Sequence, residues 1–263
     1  MDVVCSKDGT LIAFQKSGTG APLVLVHGTS ADHTRWAPVL LPLASRFTVY
    51  AMDRRGRGGS GDTDPYVIER EFEDVVAVLD SLDEPVNLLG HSYGAICALE
   101  AAARSKNLRR LILYEPPIPT GVDIYSPAVV NTMRDMLAGG DRDGVVATFM
   151  REVPRVPPHE LELLRSSPAW QGRVAAAHTI FRELEASNDS YRFDPLKSAN
   201  VTTPTLLLLG GASPAFFLAA INKVHEALPN SRIVVMPGQQ HTAMNTAPEL
   251  FVREVLDFLT KPA

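Results

Sequence analysis

VNLLGHSYGAICALEAAAR, residues 86–104, changes character at its centre. Val86–Leu89 is a short apolar run of strand length, and Tyr93–Arg104 is an alanine-rich stretch of helix formers. Between them stands Gly90-His91-Ser92-Tyr93-Gly94, a G-x-S-x-G pattern in the strand–turn–helix setting that gives it meaning. The glycines permit a turn tight enough to lift the Ser92 hydroxyl above a sheet. The start of the following helix brings backbone N–H groups beside it, where that of Tyr93 can meet a developing oxyanion. A glycine turn with an incidental serine is the plainer reading, and it leaves the flanking strand and helix unexplained.

The chain on either side of this elbow alternates strands with helices. Upstream, two short strands flank the Asp8-Gly9 turn, and Pro22–His27 is apolar on both faces, as a central strand would be. A helix around Trp36–Ala44 leads to a strand at Phe47–Met52. Phe72, Val75, Val76, Leu79 and Leu82 then repeat at helical spacing. Downstream, Arg110–Tyr114 is a strand, after which residues 115–194 contain only short helical pieces punctuated by eight prolines. Alternation resumes with strands at Thr205–Leu209 and Arg232–Met236 and helices near Phe216–Leu228 and Glu249–Leu259. The expected architecture is α/β, a mostly parallel sheet of about eight strands flanked by helices, with a helical insertion after the sixth strand.

Composition narrows the function classes. A net charge of −5 leaves no basic stripe for a polyanion, and Arg54-Arg55-Gly56-Arg57 is too short to bind nucleic acid. Cys5 and Cys97 form neither a disulfide framework nor a metal-ligand spacing. No basic start followed by an apolar run opens the chain, and no stretch approaches membrane-spanning length. The expectation is a soluble cytoplasmic protein with a small-molecule substrate, with no metal, cofactor, nucleic acid or membrane partner, and with homodimerisation left open.

A serine hydroxyl needs a base. His241, on the Pro237–His241 loop between the last strand and last helix, is expected at the same sheet edge as Ser92. The other histidines are weaker candidates: His27 reads as structural, and His91 as turned away from substrate. His27-Gly28-Thr29 ends an early central strand, which offers the Thr29 N–H as a second oxyanion donor. His33 and Trp36 are then expected to flank the entrance.

Ser92 followed by His241, with His27-Gly28 early and Asp53–Ser60 after the next strand, resembles the α/β-hydrolase family over nearly the whole chain. The resemblance implies a core of residues 1–114 and 196–263 under a helical cap of residues 115–195, in which substrate specificity lies. Among the cap's apolar residues, Met133, Phe149 and Trp170 are the pocket candidates, which points to a medium-sized apolar acyl or alcohol group.

The family's usual acid follows the seventh strand, and there this chain reads Gly210-Gly211-Ala212-Ser213. Loss of a triad carboxylate costs about 10⁴-fold in turnover, roughly 5–6 kcal/mol. Glu115, the first residue past the sixth strand, is the candidate replacement. In the family's strand order, as the resemblance implies, that strand lies one spacing of about 4.8 Å from the seventh, and Pro116-Pro117 stiffen the chain where the side chain must be aimed. A cap-anchoring role for Glu115 is the plainer reading. Asp53, which reads as a loop brace paired with Arg54 or Arg57, is a weaker candidate, as are Asp189 and Asp194; a site without any acid also stays open. Three functions remain: a serine hydrolase of an ester, lactone or thioester; a lyase, cyclase or cofactor-free oxygenase on the same fold; and a degenerate protein that only binds a ligand.

Overall fold

Strands β1 (Asp2–Cys5), β2 (Leu11–Ser17), β3 (Pro22–Val26), β4 (Thr48–Met52), β5 (Val86–His91), β6 (Leu108–Tyr114), β7 (Thr205–Gly210) and β8 (Ser231–Met236) form one sheet in the order β1-β2-β4-β3-β5-β6-β7-β8. The computed structural model describes residues 1–122 and 124–260, with the side chains of Asn188 and Asp189 outside that description, so the Asp189 alternative lies beyond it. β1 and β2 run antiparallel to their neighbours, and β3 to β8 are parallel. The hydropathy explains the order: β3, β5 and β7 are buried along their whole length, whereas β8, at the edge, leaves half of Val235 exposed.

Helices cover both faces. α1 (Ala37–Ala44), α11 (Ala243–Thr246) and α12 (Pro248–Thr260) close one core with Leu23, Leu25, Leu206 and Leu208. α2 (Ile68–Asp80), α3 (Tyr93–Ala102) and α10 (Ala215–Ala227) close the other with Val24, Val26, Leu88 and Leu207. The four leucines 206–209 thus alternate between two cores, each contributing about 1.5–3 kcal/mol on burial.

Between β6 and β7, α4 (Pro127–Ala138), α5 (Arg142–Glu152), α6 (Pro158–Arg165), α7 (Ala169–Ala175) and α8 (Thr179–Glu185) precede a π turn at Ala186–Ser190 and the short α9 (Pro195–Ser198). This insertion has its own apolar cluster, which includes Met133, Val146, Phe149, Trp170 and Ile180.

Charge fastens α8 to the sheet. Glu183 accepts from Arg54 Nη2 at 2.6 Å and from Arg57, and Glu71 of α2 accepts from Arg54 Nε and Nη2 at 2.8 Å each. Arg182 adds a bond to Asp62 at 2.6 Å and one to the Arg55 carbonyl at 2.8 Å. Burial pushes the Glu71 carboxyl up, but Arg54 and Arg57 outweigh it and hold it near about 2. Two arginines against two glutamates leave this buried cluster neutral. Removing one partner of such a network costs about 3–5 kcal/mol, so Glu183→Ala is expected to lower the melting temperature by roughly 6–20 °C. Differential scanning calorimetry checks this, with an unchanged Tm as the contrary outcome.

Candidate active site

Ser92 sits at φ 56° and ψ −127°, a strained conformation for a residue with a β-carbon, between β5 and α3. Its N–H donates to the Tyr114 carbonyl at 2.8 Å, and the Ala95 N–H returns to the Ser92 carbonyl at 2.8 Å. Two glycines are required by close approach: a β-carbon on Gly94 would lie 2.3 Å from the His27 carbonyl oxygen, and one on Gly90 would lie 2.5 Å from that of Gly94. Gly28 is equally confined, since its β-carbon would meet that of Ser92 at 2.9 Å.

His241 lies between β8 and α11, and Glu115 caps the end of β6. His241 Nδ1 and Glu115 Oε2 are 2.6 Å apart, with both side chains buried. The other carboxylate oxygen, Oε1, accepts from the Gly210 N–H at 2.7 Å and from the Ser213 hydroxyl at 2.5 Å. The turn after β7, which has no acid of its own, therefore holds the acid that β6 delivers. Glu115 reaches this position through a left-handed backbone, φ 45°, while its N–H continues the ladder to the Leu208 carbonyl at 3.2 Å.

Neighbours immobilise the His241 loop. The Tyr114 hydroxyl donates to the Gln240 carbonyl and accepts from the Ala243 N–H at 3.2 Å. His91 Nε2 donates to the His241 carbonyl at 2.9 Å, so His91 braces the His241 backbone. Burial, then the nearby charge of His241, keeps the His91 ring neutral, well below its ordinary pKa. Phe217 stacks on the His241 ring with centroids 4.5 Å apart and planes 15° apart. His241 Nε2 has no protein partner among the described residues, which leaves it available on the cavity side.

Ser92, His241, Gly28, Thr29 and Tyr93 share the wall of a cavity of about 500 Å³. The Thr29 N–H has no acceptor among the described residues, and that of Tyr93 is the first of its helix, where no intrahelical acceptor exists. The cap supplies Phe149, Met150, Val153 and Leu184, and the core supplies Phe216 and Phe217.

Several expected pocket residues lie elsewhere. Trp36 is fully buried in the core beneath the sheet, 6.5 Å from the His91 ring. His33 is tied to Asp53, with its N–H 2.7 Å and its Nδ1 2.8 Å from Oδ1. Both belong to a single 3₁₀ turn (His33–Trp36), in which adjacent side chains point about 120° apart, and it is Arg35 that faces the cavity. Met133 and Trp170 pack inside the cap's own cluster, with Trp170 Nε1 bonded to Asp143 at 2.5 Å, whereas Phe149 does reach the cavity. Asp53 braces its loop through His33, the Gly59 N–H at 2.8 Å and the Ser60 hydroxyl rather than through an arginine. Asp194 caps α9 by accepting from Leu196 N at 2.9 Å.

Four charged residues on the cavity wall were not anticipated: Arg35, Arg173, Glu183 and Arg192. No periodicity marks a charged residue that faces a cavity rather than solvent. Metal-ligand spacing occurs at Asp32, His33 and Asp53, but Asp32 accepts from the Thr34 N–H at 2.9 Å, and the other two are bonded to each other. Among the described residues no helix is long and apolar enough to cross a membrane.

An eight-stranded, mostly parallel sheet with a serine elbow and a histidine loop at one edge defines an α/β hydrolase. The pattern described as "Alpha/beta hydrolase family" matches residues 23–254, and the chain belongs to that family. It is similar to an alpha/beta hydrolase from Sphaerobacter thermophilus (37% identity, 98% of this chain and 100% of that one, TM-score 0.83). It also resembles an esterase from a Rhodococcus species (25% identity, 100% and 99%, TM-score 0.82). N-formylmaleamate deformylase from Pseudomonas putida is 27% identical over 93% of this chain and 91% of that protein.

The buried imidazoles carry a pH signature. His27 donates from Nδ1 to the Gly28 carbonyl at 2.8 Å and accepts the Arg54 N–H at 3.1 Å. Burial, then the Arg54 charge, takes it from the ordinary 6.5 to about 3. Below 6.5 the unfolded chain therefore binds protons that the folded chain refuses, so stability falls as pH drops from 6.5 toward 3 and this contribution is flat above 6.5. Urea denaturation at pH 7 and pH 4.5 is expected to show a smaller loss for His27→Gln than for the wild type. An equal loss in both would assign the acid limb to other groups.

Proposed function

We propose that the chain is a serine hydrolase that cleaves a carboxylic ester, lactone or thioester of small to medium size through an acyl-enzyme on Ser92. The observation that carries this reading is the Glu115–His241 pair, 2.6 Å apart and anchored by Gly210 and Ser213. With Nδ1–H donated to Glu115, the His241 tautomer leaves Nε2 unprotonated to take the Ser92 proton. Oγ then attacks the carbonyl carbon, and the oxyanion forms against the Thr29 and Tyr93 N–H groups, each such donor contributing about 10²–10³ in rate. His241 returns the proton to the leaving group. Water, activated by the same nitrogen, releases the acid product and restores Ser92. The esterase likeness supports this reading.

The likeness to N-formylmaleamate deformylase favours one second reading, cleavage of an acyl C–N bond by the same residues, in which His241 protonates a departing nitrogen. Comparing p-nitrophenyl butyrate with N-formyl amides separates the two bond types. In either case a fluorophosphonate probe is expected to label the wild type and not Ser92→Ala, and Glu115→Gln is expected to lower turnover by about 10³–10⁴-fold. Wild-type turnover by Ser92→Ala would end both readings, and full activity in Glu115→Gln would remove Glu115 from the mechanism.

A further inference from the structure

Three guanidinium groups line the cavity that Ser92 and His241 share, and they are held differently: Arg192 donates Nη1 to the Tyr191 carbonyl at 2.8 Å. Arg35 donates Nη1 to the Asn245 side-chain oxygen and has Nη2 2.8 Å from the Met244 sulfur, so neutral atoms hold it. Arg173, on α7, is only 5% exposed, yet among the described residues it makes neither a hydrogen bond nor an ion pair. Asp32 supports its charge from beyond ion-pair distance, while Asp32 Oδ1 is occupied by the Thr34 N–H and hydroxyl. Burial brings the Arg173 guanidinium down to about 10, which keeps it charged at neutral pH, and Arg173 in turn helps depress Arg35. Of the three cations at this cavity, Arg35 and Arg173 repel each other, and Arg173 has no acceptor among the described residues.

None of the nearby acids forms an ion pair with Arg173. Glu183 answers Arg54 and Arg57 through Oε1, while its Oε2 has no hydrogen-bond partner among the described residues; Glu115 is bonded to His241, Gly210 and Ser213, and Glu160 accepts from Thr242. A buried charge without a partner is costly, and a planar guanidinium fork matches a planar carboxylate with two parallel hydrogen bonds. We propose that Arg173 binds a carboxylate of the substrate, so that the natural substrate carries a free acid group in addition to the acyl bond that is cleaved. Arg35 adds a second positive charge behind the same site. The proposal rests on the Ser92 hydrolase reading and replaces the wholly apolar substrate suggested by the cap's composition. A guanidinium fork matches both carboxylate and phosphate, so the test includes inorganic phosphate to separate the two.

The test compares matched charged and neutral esters. One pair, p-nitrophenyl hemiglutarate against p-nitrophenyl valerate, places the carboxylate on the acyl side. The other, 3-acetoxybenzoate against phenyl acetate, places it on the leaving group. In at least one pair the wild type is expected to favour the charged ester in kcat/KM by about tenfold or more, the scale of a charge-assisted pair. Arg173→Met is expected to collapse that ratio toward one, and Arg173→Lys to keep part of it. Calorimetry of glutarate, glutaramide and inorganic phosphate with Ser92→Ala protein needs no turnover, and glutarate alone is expected to bind. Glutarate binding without any ester hydrolysis would sink the hydrolase reading and keep the anion site. Hydrolysis of neutral esters with no preference for the charged member of either pair would overturn the anion site alone, as would an unchanged ratio in Arg173→Met or tighter binding of phosphate than of glutarate.

Discussion

The carboxylate of Glu115 is the tie between three parts of the sheet edge. One oxygen takes the N–H and hydroxyl of the turn after β7, and the other takes the imidazole of the loop after β8. A buried carboxylate without such partners would cost several kcal/mol, so the turn, the loop and the end of β6 adopt their positions together. The adjacent residue works in the same direction: Tyr114 grips the His241 loop on both sides, through Gln240 and Ala243, while its carbonyl receives the Ser92 N–H. Two consecutive residues at the end of one strand thereby orient serine, histidine and acid. The left-handed φ of 45° at Glu115 is the backbone strain that accompanies this arrangement.

Buried charge plays two different parts elsewhere. Arg54, Arg57, Glu71 and Glu183 pair with one another and act as a clasp between sheet and cap. The Arg35–Arg173 corner has no such internal balance. Each guanidinium of the clasp meets a carboxylate within ion-pair distance, whereas Arg173 makes no ion pair among the described residues, which is why Arg173 reads as a group held for a ligand.

Much of this was legible in the sequence because the signals are local. The elbow announces itself in five residues and the strands in their short, largely apolar runs, whereas the strand order comes only with the resemblance to the family. The absence of an acid at Ala212 and Ser213, taken with the family's strand order, points to Glu115. Side-chain direction was harder to read. Trp36 and Arg35 are neighbours in one tight turn, and which of them faces the cavity depends on the turn's rotation rather than on hydrophobicity. Met133 and Trp170 were expected at the pocket because they are large and apolar, but the cap needs a core of its own and uses them there. Asp53 lies next to arginines in sequence yet bonds His33, since Arg54 and Arg57 are drawn to carboxylates on α2 and α8.

The placement of Glu115 also ties the shape of the cavity to its chemistry. Glu115 leads directly into Pro116 and Pro117, whose rings fix φ, and Pro117 is itself part of the cavity wall. The Ile118 N–H folds back on the Pro116 carbonyl at 2.8 Å, which locks this short segment further. Wall and acid are therefore two ends of one stiff lever. An occupant that presses on Pro117 pushes, through two restrained residues, on the group that sets the orientation of the histidine. In a hydrolase whose acid follows the seventh strand, the cap's first leg and the acid stand on separate stretches of chain. Here they are mechanically in series, and a graft that exchanges the cap at its N-terminal leg exchanges the footing of the acid with it.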